Sequence, residues 1–259
     1  SHNITSSNAQ DYMLEFLPLF STCPYPGTIY QFNSRKEFHR FVRNNIERYD
    51  VFPPLTQHLS ETYNYYGGDP DAIEILAFYN TYGFIPHLRI GERDSSWAYS
   101  FYKRYLPEGT LPVLLSLKQT LHAPERNADP EVWLSFIDMC KVEFAEVTFV
   151  VVGLREEVFS GLRERPNVII AKDFGTSIIE DLALIRTSLL YMATDSGPNT
   201  IAVFSDLPYL LFQLHVHAMR KMGIKSGDQY CFATDKQKIF TGDTLVTSAL
   251  LFKEFKELY

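Results

Sequence analysis

Short apolar runs alternate with helix-like segments through the middle of the chain, and this alternation restricts the possible folds more than any other feature. Five runs have the length and the β-branched or aromatic content of buried strands, at residues 111–117, 147–152, 167–172, 188–193 and 209–214. Four intervening segments have helical spacing of apolar residues, at 129–145, 155–164, 177–186 and 198–204. Strands joined through helices need right-handed crossovers, which give a parallel sheet with helices on both faces. The sequence therefore predicts an α/β, Rossmann-like domain.

The flanking regions predict less regular structure. On the N-terminal side the pattern predicts two helices, one strand and an aromatic loop, at residues 35–48, 71–82, 85–90 and 63–68 respectively. After the fifth strand we expect a hairpin of residues 229–233 with 238–240, then a final helix capped by Asp243 or Thr244. We therefore expect a smaller, mainly helical N-terminal part over residues 1–110 and a Rossmann-like domain with a C-terminal helix over residues 111–259.

Composition excludes several classes of protein. The formal charge of −7 and the absence of a long basic run argue against a nucleic-acid partner. Cys23, Cys140 and Cys231 are far apart and form no CxxC pair, which is typical of reduced thiols in a cytoplasmic protein. The apolar runs are shorter than the roughly 20 residues that span a bilayer. We expect a cytoplasmic protein of one large or two small domains.

A turn of small and polar residues, Thr194-Asp195-Ser196-Gly197-Pro198-Asn199, joins the fourth predicted strand to the next helix. The start of a helix has free backbone N–H groups and the positive end of the helix dipole, which together favour a phosphate. Gly197 allows close approach of a ligand, and Pro198 suits the first helical position. The alternative is an ordinary strand-to-helix turn capped by Ser196.

Other candidate ligand-binding residues follow neighbouring strands, because ligands of such sheets collect at the carboxyl ends of the strands. They are Ser116, Lys118, Arg126 and Asn127 after the first strand, Gly153 after the second, and Asp173 and Phe174 after the third. Lys118 and Arg126 fit a diphosphate opposite the turn, although a single surface cation is more often a solvated loop charge. No GxGxxG or GxxxxGK[ST] sequence is present, so NAD, FAD and ATP hydrolysis lose their main support.

Over residues 111–214 the chain resembles the nucleotide-sugar-binding, C-terminal half of GT-B-fold glycosyltransferases, particularly bacterial enzymes of surface-polysaccharide synthesis. The similar segments are Leu114-Leu115-Ser116-Leu117-Lys118, Glu125-Arg126-Asn127-Ala128-Asp129, Phe149-Val150-Val151-Val152-Gly153 and the turn from Thr194 to Asn199. The resemblance implies that a loop at Lys172-Asp173-Phe174-Gly175 holds the nucleotide base. There Phe174 supplies a stacking face and backbone groups near Asp173 read the base edge.

The resemblance also implies that the Ser196-Gly197-Pro198 turn, with Asn199 and the basic residues, holds the phosphates without a metal ion or a further cofactor. Residues 111–214, which carry the resemblance, contain no DxD carboxylate motif, which agrees with metal-independent transfer. His215 and His217 are a conceivable metal pair if they lie on the same face of a strand, but no third ligand is evident.

The catalytic base is the least defined part of the expected site. An inverting transferase needs a carboxylate or imidazole near the acceptor hydroxyl, and we take His87, Glu92 and Asp94 as candidates. The alternative for the two carboxylates is a charged loop paired internally with Arg89 and Arg93. Residues 1–110 are short for a full acceptor domain, so either that domain is reduced or the chain is part of a longer protein.

The function expected from this resemblance is glycosyl transfer from a nucleoside-diphosphate sugar to a glycan or a lipid-linked acceptor, with possible peripheral membrane or homodimer association. Two alternatives remain open. One is a sugar-nucleotide epimerase or hydrolase, with Asp173, Glu180 and Asp195 as its candidate carboxylates. The other is a non-catalytic binding or scaffold domain of a larger polysaccharide-assembly protein.

Overall fold

The computed structural model of the chain describes residues 17–24, 30, 32, 34–45, 48, 69–121 and 123–259. It divides into two compact units, Ser1–Pro24 with Pro86–Tyr259 and Tyr25–Ile85. The predicted aromatic loop at residues 63–68 lies outside the described residues. The larger unit contains the sheet.

The sheet has six strands: β1 Leu111–Ser116, β2 Val147–Val152, β3 Val168–Ile170, β4 Leu190–Thr194, β5 Tyr209–Leu214 and β6 Gln237–Thr241. All are parallel, and their order in the sheet is β3-β2-β1-β4-β5-β6. From β1 the chain adds strands toward one edge, and from β4 it adds them toward the other edge. The α/β fold class is confirmed, and the chain changes direction between β1 and β4.

Eight α-helices are found in the described residues: α1 Arg35–Asn45, α2 Asp69–Tyr82, α3 Glu92–Tyr105, α4 Pro130–Glu143, α5 Ile178–Thr187, α6 Asn199–Val203, α7 Val216–Lys221 and α8 Ser248–Leu258. Helices α1 and α2 belong to the smaller unit. Two starts illustrate why helices form where they do. Asp129 caps α4 by accepting from the backbone N–H groups of Glu131 and Val132. Ser177 and Glu180 form a capping box at the start of α5.

Side chains of the sheet alternate between two apolar layers, as a parallel sheet covered on both faces requires. Leu114, Tyr191 and Leu211 pack on the side of α3, α5 and α6. Leu115 and Phe212 pack on the side of α4 and α8. The core therefore lies on both faces of the sheet, and only its edges and strand ends are left for ligands.

Two predicted elements are wrong, one that follows β2 and one that precedes α3. The predicted helix at 155–164 is a single 3₁₀ turn, Arg155–Glu157. The chain leaves the helical conformation at Val158, whose ψ is 105°, and a later turn with Gly161 at φ of +90° buries Leu162. The predicted strand at 85–90 has no regular secondary structure and joins no sheet. Its amide donors bond elsewhere, Leu88 N–H to Phe204 O at 2.8 Å and Arg89 N–H to a carbonyl of the Leu17–Thr22 turn at 2.6 Å.

The predicted C-terminal hairpin is also wrong, because residues 237–241 form β6 parallel to β5. Gln237 fixes this pairing, since its buried amide donates to the carbonyls of Ser205 and Leu207 at 2.9 and 2.8 Å, just before β5 begins. The final helix starts later than predicted. Its cap is Thr247, whereas Asp243 accepts from the hydroxyl of Thr241.

Candidate functional site

The carboxyl ends of β1 and β4 lie side by side, with Ser116 paired to Ala193. These are the central strands at which the strand order reverses, and ligands of open α/β sheets bind in the crevice formed there. The backbone N–H of Lys118 donates to the Thr194 hydroxyl at 2.9 Å, which ties the two strand ends together. We call the space outside these two ends the crevice.

A hydrogen-bonded network of side chains holds the turn after β4. Buried Asn199 accepts at Oδ1 from the Tyr191 hydroxyl at 2.9 Å and from the Ser196 hydroxyl at 3.0 Å. Its Nδ2 donates to Thr194 O at 3.0 Å. The hydroxyls of Ser116 and Ser196 are 3.2 Å apart. Sequence reasoning did not select Tyr191, because one tyrosine inside an apolar strand has no visible polar partner in the sequence.

The start of α6 differs from its prediction in two ways. Pro198 is the residue before the helix rather than its first residue, and no side chain caps the helix. The predicted free amide groups are largely occupied, because Asn199, Thr200 and Ile201 donate to the carbonyls of the three residues from 196 to 198, each at 3.2 Å. The helix is only five residues long, so its dipole contributes little.

Gly197 is the position in this turn that opens onto free space. A Cβ built there meets no heavy atom of its surroundings within 4 Å, and its φ is outside the left-handed region. Glycine is therefore not required by the local backbone geometry. A group brought close to the chain at Gly197 would find room that a side chain would otherwise fill.

Both predicted cations lie at the crevice, and each is paired with a carboxylate. Arg126 Nε is 3.0 Å from Asp195 Oδ2, and Arg126 Nη2 donates to the Asp195 carbonyl at 2.8 Å. Lys118 Nζ is 3.6 Å from Glu157 Oε1. Burial raises the pKa of Asp195, and the attraction of Arg126 only partly opposes this effect. An anion in the crevice would therefore exchange partners with these carboxylates.

Asn127 holds the loop that contains Arg126. Its side-chain amide accepts from Thr120 N–H at 2.7 Å and donates to Thr120 O at 2.9 Å. Gln119 Nε2 donates to Ala128 O at 2.6 Å on the same loop. Asn127 thus positions the arginine, and its own amide is occupied by the backbone.

The loop after β3 is fixed by a buried ion pair. Lys172 Nζ lies 2.9 Å from Asp181 Oδ2 and donates to Thr176 O at 2.5 Å, while Thr176 Oγ1 donates to Asp181 Oδ1 at 2.6 Å. Burial raises the pKa of Asp181 even though these donors oppose it. Arg155 Nη2 donates to Lys172 O at 2.8 Å, joining this loop to the one after β2.

Two predicted base-binding residues of this loop have protein partners. Arg163 donates twice to the Asp173 carboxylate, at 2.8 and 3.0 Å, and these hydrogen bonds lower the pKa of Asp173. Phe174 packs against Tyr105 with ring centroids 4.1 Å apart, yet 46% of its surface is exposed. Nearly half of the Phe174 surface is therefore accessible to a ligand.

Gly153 ends β2 with φ of +118°, a conformation that favours glycine. A Cβ there would lie 3.1 Å from Glu157 Oε2, which accepts from Leu154 N–H at 3.2 Å. Glycine at this position thus makes room for Glu157, and its predicted role in ligand binding stays a prediction. Sequence reasoning missed Glu157, although its place four residues after a strand-ending glycine is a usable signal.

The catalytic candidates are not members of the hydrogen-bonded network. Glu92 and Asp94 are in the first turn of α3, where negative charge is favourable, and His87 is exposed. Within the described part of the chain, no hydrogen bond or ion pair joins these three residues to Arg126 or Ser196. Their catalytic role stays a prediction.

The predicted metal pair does not share a strand face. His215 caps α7, its Nδ1 accepting from Ala218 N–H at 3.4 Å, and His217 lies within that helix. The described residues contain no group of three or more His, Cys, Asp or Glu side chains arranged to hold a metal ion. In the same residues, no helix combines the length and apolar character needed to cross a membrane.

The sequence matches no protein-family model and no curated protein. Solved structures with a similar fold include E. coli ADP-heptose LPS heptosyltransferase II, at TM-score 0.47 and 12% identity, covering 67% of this chain and 53% of that one. A second is the E. coli heptosyltransferase WaaC with ADP-2-deoxy-2-fluoro heptose, at 0.43 and 14%, covering 70% and 53%. A glycosyl transferase family 9 protein from Veillonella parvula matches at 0.43 and 14%, covering 67% and 46%.

This chain therefore spans about half the length of these solved structures. At such TM-scores and identities, the likenesses establish neither an activity nor a substrate for it.

Proposed function

We propose that the chain binds a nucleoside-diphosphate sugar in the crevice and transfers the sugar to a glycan or lipid-linked acceptor. The observation that carries the proposal is Gly197, whose Cβ position is open, on a turn held by Asn199 and next to Arg126. A diphosphate can approach the backbone there while a guanidinium binds its oxygens from the side.

The charges of the crevice support a ligand with more than one negative charge. Arg126 is paired with Asp195, and Lys118 is paired with Glu157. A singly charged anion would bind weakly, because it would only replace one of these carboxylates. A diphosphate offers several oxygens to both cations at once. The same two cations would stabilise the diphosphate as it leaves during transfer, without a metal ion.

The neighbouring loop supports a nucleoside on the β3 side of the crevice. Lys172 and Asp181 hold that loop rigidly, and the half-exposed ring of Phe174 offers a stacking face. Within the proposal, His87, Glu92 and Asp94 are the candidate bases for the acceptor hydroxyl.

A thermal-shift panel with nucleoside diphosphates and their sugar conjugates, ADP included, tests the proposal. A ligand at 100 times its Kd adds about 2.7 kcal/mol, which moves Tm by roughly 5–10 °C in a chain of this size. Gly197→Ala should remove the shift, because the added methyl group occupies the open space. Gly91→Ala is the matched control, since its Cβ makes only an ordinary contact, 3.7 Å from Asp94 Oδ2.

A shift lost in Gly197→Ala and kept in Gly91→Ala supports the crevice as the binding site. A shift that persists in Gly197→Ala, or no shift with any nucleotide, contradicts it. Release of free nucleoside diphosphate from the bound conjugate then separates a transferase from a binding domain, because the latter holds the ligand without turnover.

A further inference from the structure

Gln213, near the end of β5, has an uncommon backbone conformation. Its φ is +59°, and among the described residues it is the one non-glycine residue with positive φ. A long side chain rarely adopts this conformation, and strained residues of this kind cluster at functional sites.

The strain comes with a break in the strand. Leu211 pairs with Ile239 and Leu214 pairs with Thr241, so the register shifts between the two pairs. In a regular strand Leu214 would face the opposite side from Leu211, yet both belong to the same core layer. The irregularity at Gln213 therefore returns Leu214 to that layer. Such bulges re-aim side chains, often next to active sites.

Gln213 lies beside the crevice. Thr194 of β4 pairs with Phe212 of β5. Asp195 follows Thr194, and Gln213 follows Phe212. The 3₁₀ turn Pro124–Arg126 also packs against β5. Gln213 therefore belongs to the strand next to β4, one residue beyond the partner of Thr194, on the side of β4 away from β3.

The amide oxygen of Gln213 has no donor. Gln213 Oε1 is buried and accepts no hydrogen bond from the residues that the structure describes. A buried acceptor without a partner is unfavourable, so this oxygen gains a donor if the Gln213 side chain turns toward a ligand in the neighbouring crevice.

We propose that Gln213 Oε1 accepts a hydrogen bond from a hydroxyl group of the sugar in a bound nucleoside-diphosphate sugar, and so helps to select the sugar. The inference rests on the proposed function. A diphosphate has acceptors for Arg126 but no donor for Gln213, whereas sugar hydroxyls donate. With the nucleoside toward β3 and the diphosphate between β1 and β4, the sugar extends toward β5 and Gln213.

Two variants separate the side chain from the backbone strain. Gln213→Gly removes the amide and relieves the strain, whereas Gln213→Ala removes the amide and keeps the strain. We expect both to weaken binding of the sugar conjugate about five- to tenfold and to leave the affinity for the parent nucleoside diphosphate unchanged. Tm should be higher in Gln213→Gly than in Gln213→Ala and in the unmodified protein.

Titration calorimetry of the unmodified protein and both variants, with the conjugate and its parent nucleoside diphosphate, gives the required affinities. If the parent binds and both variants keep the original ratio of affinities, the role of Gln213 is refuted while the proposed function stands. If the unmodified protein binds neither ligand, the proposed function fails and the inference fails with it. If Gln213→Gly melts below Gln213→Ala, the strain argument is overturned.

Discussion

Removing the amide of Asn199 should destabilise the protein, because this side chain joins three groups around the turn after β4. Asn199 is 6% exposed and Tyr191 is fully buried, so water cannot readily replace the bonds between them. A neutral hydrogen bond contributes about 0.5–1.5 kcal/mol net, and a buried group left unpaired costs about 1–3 kcal/mol. Ser196 can turn to solvent, and the Tyr191 hydroxyl has the serine hydroxyls nearby, which reduces the loss.

We therefore expect Asn199→Ala to lower the free energy of unfolding by about 2 kcal/mol, or Tm by about 4–8 °C. Urea denaturation followed by circular dichroism measures the change. Thr200→Ala is the control, because Thr200 is adjacent and exposed, and it should stay within about 0.5 kcal/mol of the unmodified protein. Equal losses in the two variants would mean that the hydrogen bonds of Asn199 do not contribute to stability.

Three further predictions concern charge and backbone. Burial raises the pKa of Asp195 in the folded state, so protonation of Asp195 favours folding. The unmodified protein should therefore lose stability relative to Asp195→Asn as the pH rises from about 4 through the folded-state pKa. Denaturation series at several pH values measure this difference. Lys172→Met should lower the free energy of unfolding by about 3 kcal/mol at pH 7, measured by the same denaturation series. The loss should be smaller in acid, where Asp181 becomes protonated. Gly161→Ala should lower Tm, because φ there is +90° and the added Cβ would lie 2.9 Å from a leucine side chain.

The strands could be predicted from the sequence because each predicted run is apolar and locally bounded. β4 shows the typical error, since it starts two residues later than predicted and ends at Thr194. A strand at 238–240 was predicted, but as half of a hairpin, whereas β6 at Gln237–Thr241 pairs in parallel with β5. Its position depends on hydrogen bonds from Gln237 to the chain before β5, and those bonds have no local signal in the sequence.

The positions of the candidate site residues at the strand ends could be predicted from the sequence. The partners of their side chains could not. The rule of strand ends selects Arg126 and Ser196, and both lie at the crevice. That Arg126 pairs with Asp195, 69 residues away, depends on the tertiary fold. The sequence also predicted free amides at a helix start, but a five-residue helix closes on itself by short-range bonds. Backbone strain at Gln213 has no sequence signature.

A crystal structure of the chain with the nucleotide that gives the largest thermal shift would show whether a nucleoside diphosphate binds between β1 and β4. We expect the diphosphate against the backbone of Gly197 and within hydrogen-bond distance of Arg126, with the nucleoside toward Phe174. A nucleotide bound anywhere else, with Arg126 still paired to Asp195 and the crevice empty, would contradict this expectation.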